Sequence, residues 1–347
     1  MRGNLFSGKE ERDSTPINLE AYFVEKSNNL NLARLLLALL VLISHVGWFF
    51  GRDNTQIRSL GVYALSVFFG ISGFLIFQSA TYTKNWFQFA TKRVKRIYPA
   101  FVTVLIMTAF VYYPVYVLIQ SGSTGGLNFI EQVKYVVENI SLHVVKDSIS
   151  NSLKVSGTTN WNPSLWTLEY ELLFYFVTFF VSRNLKFKPE VVLPTLTLLL
   201  VLLTNITAHQ SNLYHLLYLG QFYLFGMTLW TYRTKIKISL TRTIVILVSV
   251  LLSYALVRQF TLTAFLMILL VLSLSIQIQA RFFAVHDFSY GVYLHAAPIT
   301  HITVLLVKKF EWPFLAAYLL SLTITFFAAV QSWFWVEKRF SKKGRTR

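Results

Sequence analysis

One stretch near the start of the chain decides the fold: Asn31-Leu-Ala-Arg34-Leu-Leu-Leu-Ala-Leu-Leu-Val-Leu-Ile-Ser-His45-Val-Gly-Trp-Phe-Phe50. It is apolar for about 20 residues, the length that an α-helix needs to cross a bilayer. Arg34 lies at its start and His45 well inside it. Ionisable side chains at such depth are costly and usually face a protein interior or a water-filled cavity. The stretch therefore predicts a membrane helix that carries a chemical site.

The rest of the chain repeats this pattern. Of its 347 residues, 54% are hydrophobic and only 14% are charged, which is too few charges for an ordinary soluble protein. We predict an all-α fold, a polytopic transmembrane helical bundle of about ten spans. The predicted spans are 30–50, 59–79, 97–119, 164–182, 190–207, 213–232, 242–258, 260–280, 288–307 and 313–336.

The distribution of Lys and Arg predicts the orientation. With the N-terminus inside, 23 of them fall in the cytoplasmic pieces and 8 in the outer pieces. This asymmetry places both termini in the cytoplasm. It also explains the net charge of +17 without a nucleic-acid partner. The absence of cysteine excludes disulfides and thiolate catalysis, and no metal site is predicted.

The fourth span carries a polar stripe, because Thr167, Glu171 and Tyr175 follow one another at intervals of four. At 1.5 Å per residue, His45 lies about 8 Å below the outer end of its span and Glu171 about 10 Å below that of its own. The two therefore share a level. They are either a base and its carboxylate partner or a buried pair that bonds two helices. Glu169 is expected nearer the surface.

Two further patterns have two interpretations each. Arg93 and Arg96, three residues apart before the third span, suit the binding of phosphates, but also ordinary anchoring at the cytoplasmic surface. Pro99 is expected in the first turn of the helix after them. Ser72 and Gly73 give the second span a small-residue face, which suits either close helix packing or the passage of a thin ligand.

Five motifs in sequence order resemble the acyltransferase family 3, a family of bacterial-type integral membrane O-acyltransferases that modify carbohydrates. The resemblance covers the chain from about residue 30 to Glu337. The motifs are Arg34 with His45, the Phe-Phe-x-Ile-Ser-Gly-Phe-Leu-Ile run at 68–76, Arg93-x-x-Arg96-Ile-x-Pro99, Trp166-Thr-Leu-x-x-Glu171-x-x-Phe-Tyr175, and Ser289-Tyr-Gly-Val-Tyr-Leu294.

The resemblance implies a reaction and its partners. An acyl group, usually acetyl, passes from cytoplasmic acyl-coenzyme A to a hydroxyl of a surface or exported carbohydrate, such as a lipopolysaccharide or another glycan or glycolipid of the cell envelope. The enzyme lies in the inner membrane, in contact with lipid, and resembles members without a fused esterase-like domain. Its site residues are predicted as catalytic (His45, Glu171), donor-binding (Arg34, Arg93, Arg96, Ser72, Gly73) and substrate-binding (Trp166, Tyr175, Tyr290).

The predicted domain organisation has three parts. Residues 1–29 form a cytoplasmic N-terminal arm, residues 30–337 a transmembrane acyltransferase domain, and residues 338–347 a basic cytoplasmic tail. The one long loop, 120–163, is predicted on the outer side. No polar block is long enough to bury a core of its own, so no additional soluble domain is expected within the chain.

Under this resemblance, His45 either deprotonates the acceptor hydroxyl or accepts the acyl group itself. A transporter or exporter that uses His45 and Glu171 as a proton or solute site is the alternative. Two positions depart from the family pattern. Asn31 stands where many members have an aspartate three residues before the arginine, and His295 is displaced by one position, so it is not predicted to be catalytic.

Overall fold

A computed structural model of the chain describes residues 17–19, 29–155, 157–184, 188–209, 211–278 and 280–342. Of the residues described, 79% are helical and almost none lie in strands, so the predicted all-α class is confirmed. Most of the predicted N-terminal arm and the last five residues of the predicted tail lie outside the described residues. Residues 17 and 18 of the arm form strand β1 (Ile17–Asn18), which pairs antiparallel with β2 (Lys237–Ile238).

The helices are α1 (Leu30–Phe50), α2 (Thr55–Tyr82), α3 (Trp86–Met107), α4 (Tyr113–Ser121), α5 (Phe129–Asn139), α6 (Trp166–Asn184), α7 (Pro189–Ile206), α8 (Asn212–Thr231), α9 (Leu240–Leu252), α10 (Phe260–Gln277), α11 (Arg281–Val285), α12 (Ser289–Lys309), α13 (Phe314–Ser332) and α14 (Lys338–Lys342). Among the described residues, three π-helical turns join or extend these helices, at Thr108–Tyr112, Ser253–Val257 and Trp333–Glu337. The first of these makes α3 and α4 one continuous span.

Within the part of the chain that the structure describes, eight helical segments are long and apolar enough to cross a membrane. They correspond to eight of the predicted spans. The other two predicted spans are α6 and α8, which are as long but more polar: α6 carries Glu169, Glu171 and Arg183, and α8 is rich in tyrosine. The chain is a multi-pass membrane protein.

The third span begins earlier than predicted. Helix α3 starts at Trp86, where the side chain of Asn85 accepts a hydrogen bond of 2.8 Å from the Phe87 amide and so caps the helix. Arg93 and Arg96 therefore lie on the helix rather than before it. Pro99 lies inside α3, so its predicted place in a first turn is wrong, because the Asn85 cap and not the proline sets the start.

The described chain divides into two compact units. The first contains residues 1–33, 66–78 and 184–285, and thus the middle of α2 with α7 to α11. Its helices approach closely where side chains are small. A Cβ atom added to Gly73 would lie 1.9 Å from the Tyr223 carbonyl oxygen, and one added to Gly226 would lie 1.9 Å from that of Gly70. Helices α2 and α8 therefore meet backbone to backbone.

The second unit contains residues 34–65, 79–183 and 286–347. Its core is a cluster from α1, α12 and α13, built from Leu42, Val46, Phe49, Ala296, Ala297, Val304, Val307 and Ala317. The loop 120–163, called the outer loop after its predicted side, contributes α5, whose polar Gln132 and Asn139 are buried while Ile130 and Val137 are exposed. This exposed apolar face is typical of a helix that lies along a membrane surface. All the ionisable residues of the predicted site belong to this unit.

Candidate active site

Four charged side chains of the second unit, Arg34, Arg96, Asp287 and Glu337, form an ion cluster. Arg34 of α1 and Arg96 of α3 both bind Oδ2 of Asp287, at 2.8 and 2.5 Å. Arg96 also binds Oε2 of Glu337 at 3.1 Å. Two guanidinium groups thus face two carboxyl groups, the kind of pairing that buried ionisable groups require.

Asp287 is the centre of this cluster. It precedes α12, and its Oδ1 accepts hydrogen bonds from the backbone amide and the hydroxyl of Ser289, at 3.2 and 2.5 Å. Burial acts to raise the pKa of the Asp287 carboxyl. The guanidinium groups of Arg34 and Arg96 and the Ser289 hydrogen bonds outweigh burial and hold that pKa below its usual range. Asp287 is therefore ionised at neutral pH and fixes both arginines.

Arg93 lies one helical turn before Arg96 and makes different contacts. Its guanidinium donates to the Ser79 hydroxyl at 2.6 Å and lies 5.8 Å from the centre of the Tyr175 ring. Tyr175 in turn donates its hydroxyl to Glu171. The structure thus brings three predicted site residues together: Arg93, Tyr175 and Glu171.

The predicted substrate-binding residues are mostly engaged with the protein. Tyr290 is buried below the Arg96 guanidinium and donates its hydroxyl to the Ile97 carbonyl at 3.0 Å. Tyr175 is buried as well. Trp166 is half-buried and packs edge-on against Tyr170. Contact of these three residues with substrate stays a prediction.

His45 is half-buried on α1, and its hydrogen bonds fix its tautomer. Nδ1 lies 2.7 Å from the Val41 carbonyl oxygen one turn earlier. A carbonyl only accepts, so Nδ1 carries the proton and the neutral ring has its lone pair on Nε2. Nε2 makes no hydrogen bond to any of the residues that the structure describes. The imidazole is thus oriented by the backbone, with its basic nitrogen available.

Aromatic rings and the outer loop surround the His45 end of α1. Phe49 contacts His45 edge-on and stacks on His301 of α12 with ring centres 4.4 Å apart. The loop reaches this place through Gly157, whose amide donates to the Phe49 carbonyl at 3.1 Å. Trp48, also edge-on to His45, lies under Gly157. The loop therefore covers the end of α1 just beyond His45.

Glu171 is not the hydrogen-bond partner of His45: within the described ranges, no hydrogen bond joins the two side chains. The Val41 carbonyl takes the orienting role that a carboxylate has in many enzymes. The surroundings of Glu169 differ from those of Glu171: Glu169 is exposed and pairs with His143 at 2.9 Å. A catalytic role of Glu171 stays a prediction.

Ser72 and Gly73 belong to the first unit. Ser72 is buried, and Gly73 faces the Tyr223 carbonyl at a distance that leaves no room even for a methyl group. This contact is the close helix packing that the sequence left open. A role of Ser72 and Gly73 in donor binding stays a prediction.

Sequence reasoning missed Asp287 and Glu337 as partners of the arginines. The family pattern has a carboxylate three residues before the arginine. Here that position is Asn31, which instead donates to the Phe283 carbonyl at 3.0 Å. One signal was present: Asp287 directly precedes an apolar span, and Glu337 ends another, and an acidic residue at such a place requires a cation. The chain offered no indication of which cation.

Comparisons with known proteins agree with this arrangement. The family model described as "Acyltransferase domain", that of acyltransferase family 3, matches residues 27–333. An "O-acetyl transferase" of Shigella phage Sf6 is 28% identical over 336 residues, which cover 91% of this chain and 97% of that protein. An uncharacterized protein of Haemophilus influenzae (strain ATCC 51907 / DSM 11121 / KW20 / Rd) is 29% identical over 174 residues, covering 44% of this chain and 67% of that protein.

No solved structure matches the chain significantly. The family match spans most of the chain and contains all the residues of the predicted site. The resemblance expected from the five motifs is therefore confirmed. The chain belongs to acyltransferase family 3 and is a membrane-embedded O-acyltransferase.

Proposed function

We propose that this protein transfers an acetyl group from cytoplasmic acyl-coenzyme A to a hydroxyl of a surface or exported carbohydrate of a bacterial cell. We place it in the inner membrane with both termini in the cytoplasm. The family and the full-length similarity to an O-acetyl transferase support the reaction type. The distribution of Lys and Arg supports the orientation.

The observation that carries the proposal is the state of His45. With Nδ1–H held by the Val41 carbonyl, Nε2 is an oriented base. In the proposed step, Nε2 takes the proton of the acceptor hydroxyl while its oxygen attacks the thioester carbonyl carbon. The C–S bond breaks, and the leaving thiolate takes the proton back from the imidazolium.

The donor side of the proposal involves arginines at the cytoplasmic end. Guanidinium groups bind phosphate oxygens in a bidentate way, which suits the coenzyme A phosphates. Arg96 already binds Asp287 and Glu337, so phosphates near it add to an existing network. Arg93 binds a neutral hydroxyl and two aromatic rings, and we assign it the leading role in donor binding.

The proposed reaction is tested with purified protein in detergent, labelled acetyl-coenzyme A, and carbohydrate extracted from cells that lack the gene. Wild-type protein is expected to label the carbohydrate, and His45→Ala to reduce kcat by about 10²–10⁴-fold, the usual contribution of a general base. His143→Ala, which changes an exposed histidine, is the control. Normal turnover by well-folded His45→Ala contradicts the mechanism, and no labelling by wild type contradicts the reaction.

The same preparation distinguishes the two possible roles of His45. A general base leaves no label on the protein when acceptor is omitted. Direct attack by Nε2 on the thioester leaves acetyl on the histidine. Label that stays on wild-type protein and is absent from His45→Ala therefore identifies the second route.

Donor binding is tested by equilibrium binding of acetyl-coenzyme A to Arg93→Ala. We expect its Kd to rise about tenfold or more, since a charge-assisted hydrogen bond contributes about 1.5–3 kcal/mol. Lys95→Ala, an exposed cation two residues away on the same helix, is the matched control and should change Kd little. Equal affinities of the two variants contradict the assignment of Arg93.

A transporter explains buried ionisable residues equally well, but it gives no reason for the family match. In the same labelling experiment a transporter modifies no carbohydrate.

A further inference from the structure

Pro298 creates an unpaired carbonyl in the middle of α12. In an α-helix the amide of residue 298 donates to the carbonyl of residue 294, and proline has no amide hydrogen. Leu294 and Pro298 are both buried, so water cannot replace that donor cheaply. A donor must come from elsewhere in the protein.

Asn162 of the outer loop supplies it. Its Nδ2 donates to the Leu294 carbonyl at 2.7 Å, and the side chain is almost fully buried. Two hydrogen bonds hold the loop in place around Asn162. His301 Nε2 donates to the Asn160 carbonyl at 3.0 Å, and the backbone amide of Asn162 donates to Asn160 Oδ1 at 2.8 Å. Since the Leu294 carbonyl can only accept, the side-chain nitrogen Nδ2 of Asn162, and not its oxygen, must face it. The orientation of the Asn162 amide is therefore determined.

The other end of this amide is unused. Oδ1 of Asn162 is buried and has no hydrogen-bond partner in the part of the chain that the structure describes. A buried oxygen without a donor costs about 1–3 kcal/mol, and native proteins keep few of them. Replacing such a group by an apolar one relieves that cost unless the oxygen has a partner during function.

Asn162 lies at the depth of His45. Helices α1 and α12 run parallel, because Arg34 meets Asp287 near their starts and Phe49, near the end of α1, stacks on His301 further along α12. The residue numbers of the two contacting pairs, 34 with 287 and 49 with 301, differ by 253 and 252. The same offset places His45 level with about residue 297 of α12. The Leu294 carbonyl points along α12 toward residue 298, and Asn162 meets it there. The unused oxygen and the basic nitrogen thus occupy one level of the second unit.

We infer that Asn162 binds the acceptor: its Oδ1 accepts a hydrogen bond from one hydroxyl of the sugar while a second hydroxyl lies against Nε2 of His45. This inference rests on the proposed function. An amide oxygen accepts but carries no charge, so it recognises a neutral hydroxyl donor rather than an anion or cation. A carbohydrate with several hydroxyls satisfies both sites at once. Asn162 is thereby an acceptor-binding residue and takes no part in donor binding.

The test distinguishes the role of Nδ2 of Asn162, which binds the Leu294 carbonyl, from that of Oδ1, which is proposed to bind the acceptor. Asn162→Ala removes both, whereas Pro298→Ala restores an amide hydrogen at residue 298 and so satisfies the Leu294 carbonyl from within the helix. In the double variant Asn162→Ala/Pro298→Ala, only the Oδ1 contact to the ligand is missing. The three variants and wild type are assayed with labelled acetyl-coenzyme A and carbohydrate from cells that lack the gene. KM for the carbohydrate, kcat, Kd for the donor and thermal stability are recorded.

We expect Pro298→Ala to behave like wild type. The double variant should regain the stability lost in Asn162→Ala but keep a KM for carbohydrate that is raised about tenfold, the loss of one hydrogen bond, with unchanged donor Kd. Asn139→Ala is the structural control, since that buried asparagine already bonds residues 145 and 146 through Oδ1. It should lower stability without raising KM.

A normal KM in the double variant overturns the inference, because Asn162 is then only a cap for the Leu294 carbonyl or the partner of a buried water. No labelling by wild type is a different result: it overturns the proposed function itself. The two failures are thereby distinguished within one set of measurements.

Discussion

The two polar regions on α1 are built in opposite ways. The ion cluster, around Arg34, consists of guanidinium and carboxyl groups that bind one another. Eleven residues further along, about 16 Å at 1.5 Å per residue, His45 is neutral and bonded to a backbone carbonyl. Asn162, level with it, is bonded to another. In the first region the charges pair within the protein, and in the second two lone pairs remain unused by the described residues.

This difference suggests that the ion cluster stabilises the fold, whereas the groups near His45 take part in the reaction. A buried ion cluster holds α1, α3 and the start of α12 in register, and its members are hard to change one at a time. Neutral groups with unused hydrogen-bonding capacity cost less to bury and can meet a neutral ligand. We therefore expect changes in the ion cluster to act first on stability, and changes near His45 to act first on turnover.

The largest effect on stability is expected for Asp287→Ala. It leaves Arg34 without this carboxylate and Arg96 with only Glu337, and loss of one partner from a buried ion pair costs about 3–5 kcal/mol. Thermal unfolding in detergent measures it. Asp53→Ala, which removes the exposed partner of Arg58, is the matched control and should cost less than about 1 kcal/mol. Equal losses mean that the ion cluster is not stabilising.

A smaller effect is expected where the outer loop meets α1. A Cβ atom on residue 157 would lie 2.4 Å from the Trp48 carbonyl oxygen. Gly157→Ala must therefore shift the loop, at a cost of about 1–3 kcal/mol, and we expect it to lower carbohydrate turnover with donor affinity unchanged. Gly126→Ala lies in the same loop with open space around it and serves as the control. Identical turnover in both variants contradicts the proposed contact.

Acid should weaken the ion cluster in a defined direction. Because the folded-state pKa of Asp287 lies below its usual value, its contribution to stability is complete above that usual value, about 4. The contribution is lost as the pH falls through the lower folded-state pKa. Melting temperatures measured from pH 7 to pH 3 should show a steeper decline below about pH 4 in wild type than in Asp287→Asn. Parallel curves contradict the assignment.

The smallest effect is expected for Glu169→Gln. Its pair with His143 is exposed, and such pairs contribute less than about 1 kcal/mol. Glu171→Gln changes a carboxylate that accepts the Tyr175 hydroxyl beside Arg93, so its effect should exceed that of Glu169→Gln in both stability and turnover. Assays of the pair measure the difference. A larger effect of Glu169→Gln would mean that Glu169, and not Glu171, is the site carboxylate of the fourth span.

The sequence was sufficient for the spans, and less so for what lies between them. The predicted 30–50 coincides with α1, because a largely apolar run of about 20 residues has the length of a spanning helix. The third span was placed eleven residues late, because its basic first turns continue as helix beyond the apolar part. Hydropathy detects the boundary of the hydrocarbon and not that of the helix.

The site was predictable one residue at a time but not as a set of contacts. His45 and Arg34 are identified by their cost in an apolar run. Their partners are not, since Asp287 is 253 residues from Arg34 along the chain and helix neighbours cannot be read from one sequence. Asn162 was missed for a different reason: its role depends on the amide hydrogen that Pro298 lacks, which matters only once the loop is seen to reach α12.

The central claim is that His45 carries its proton on Nδ1 and presents Nε2 as the base. Nitrogen-15 NMR of histidine-labelled protein in a membrane at neutral pH tests this claim most directly, with the His45 signals assigned by their loss in His45→Gln. The account predicts a protonated, hydrogen-bonded Nδ1 and an unprotonated Nε2 whose signal shifts when carbohydrate acceptor is added. A proton on Nε2, or a signal that the acceptor leaves unchanged, contradicts it.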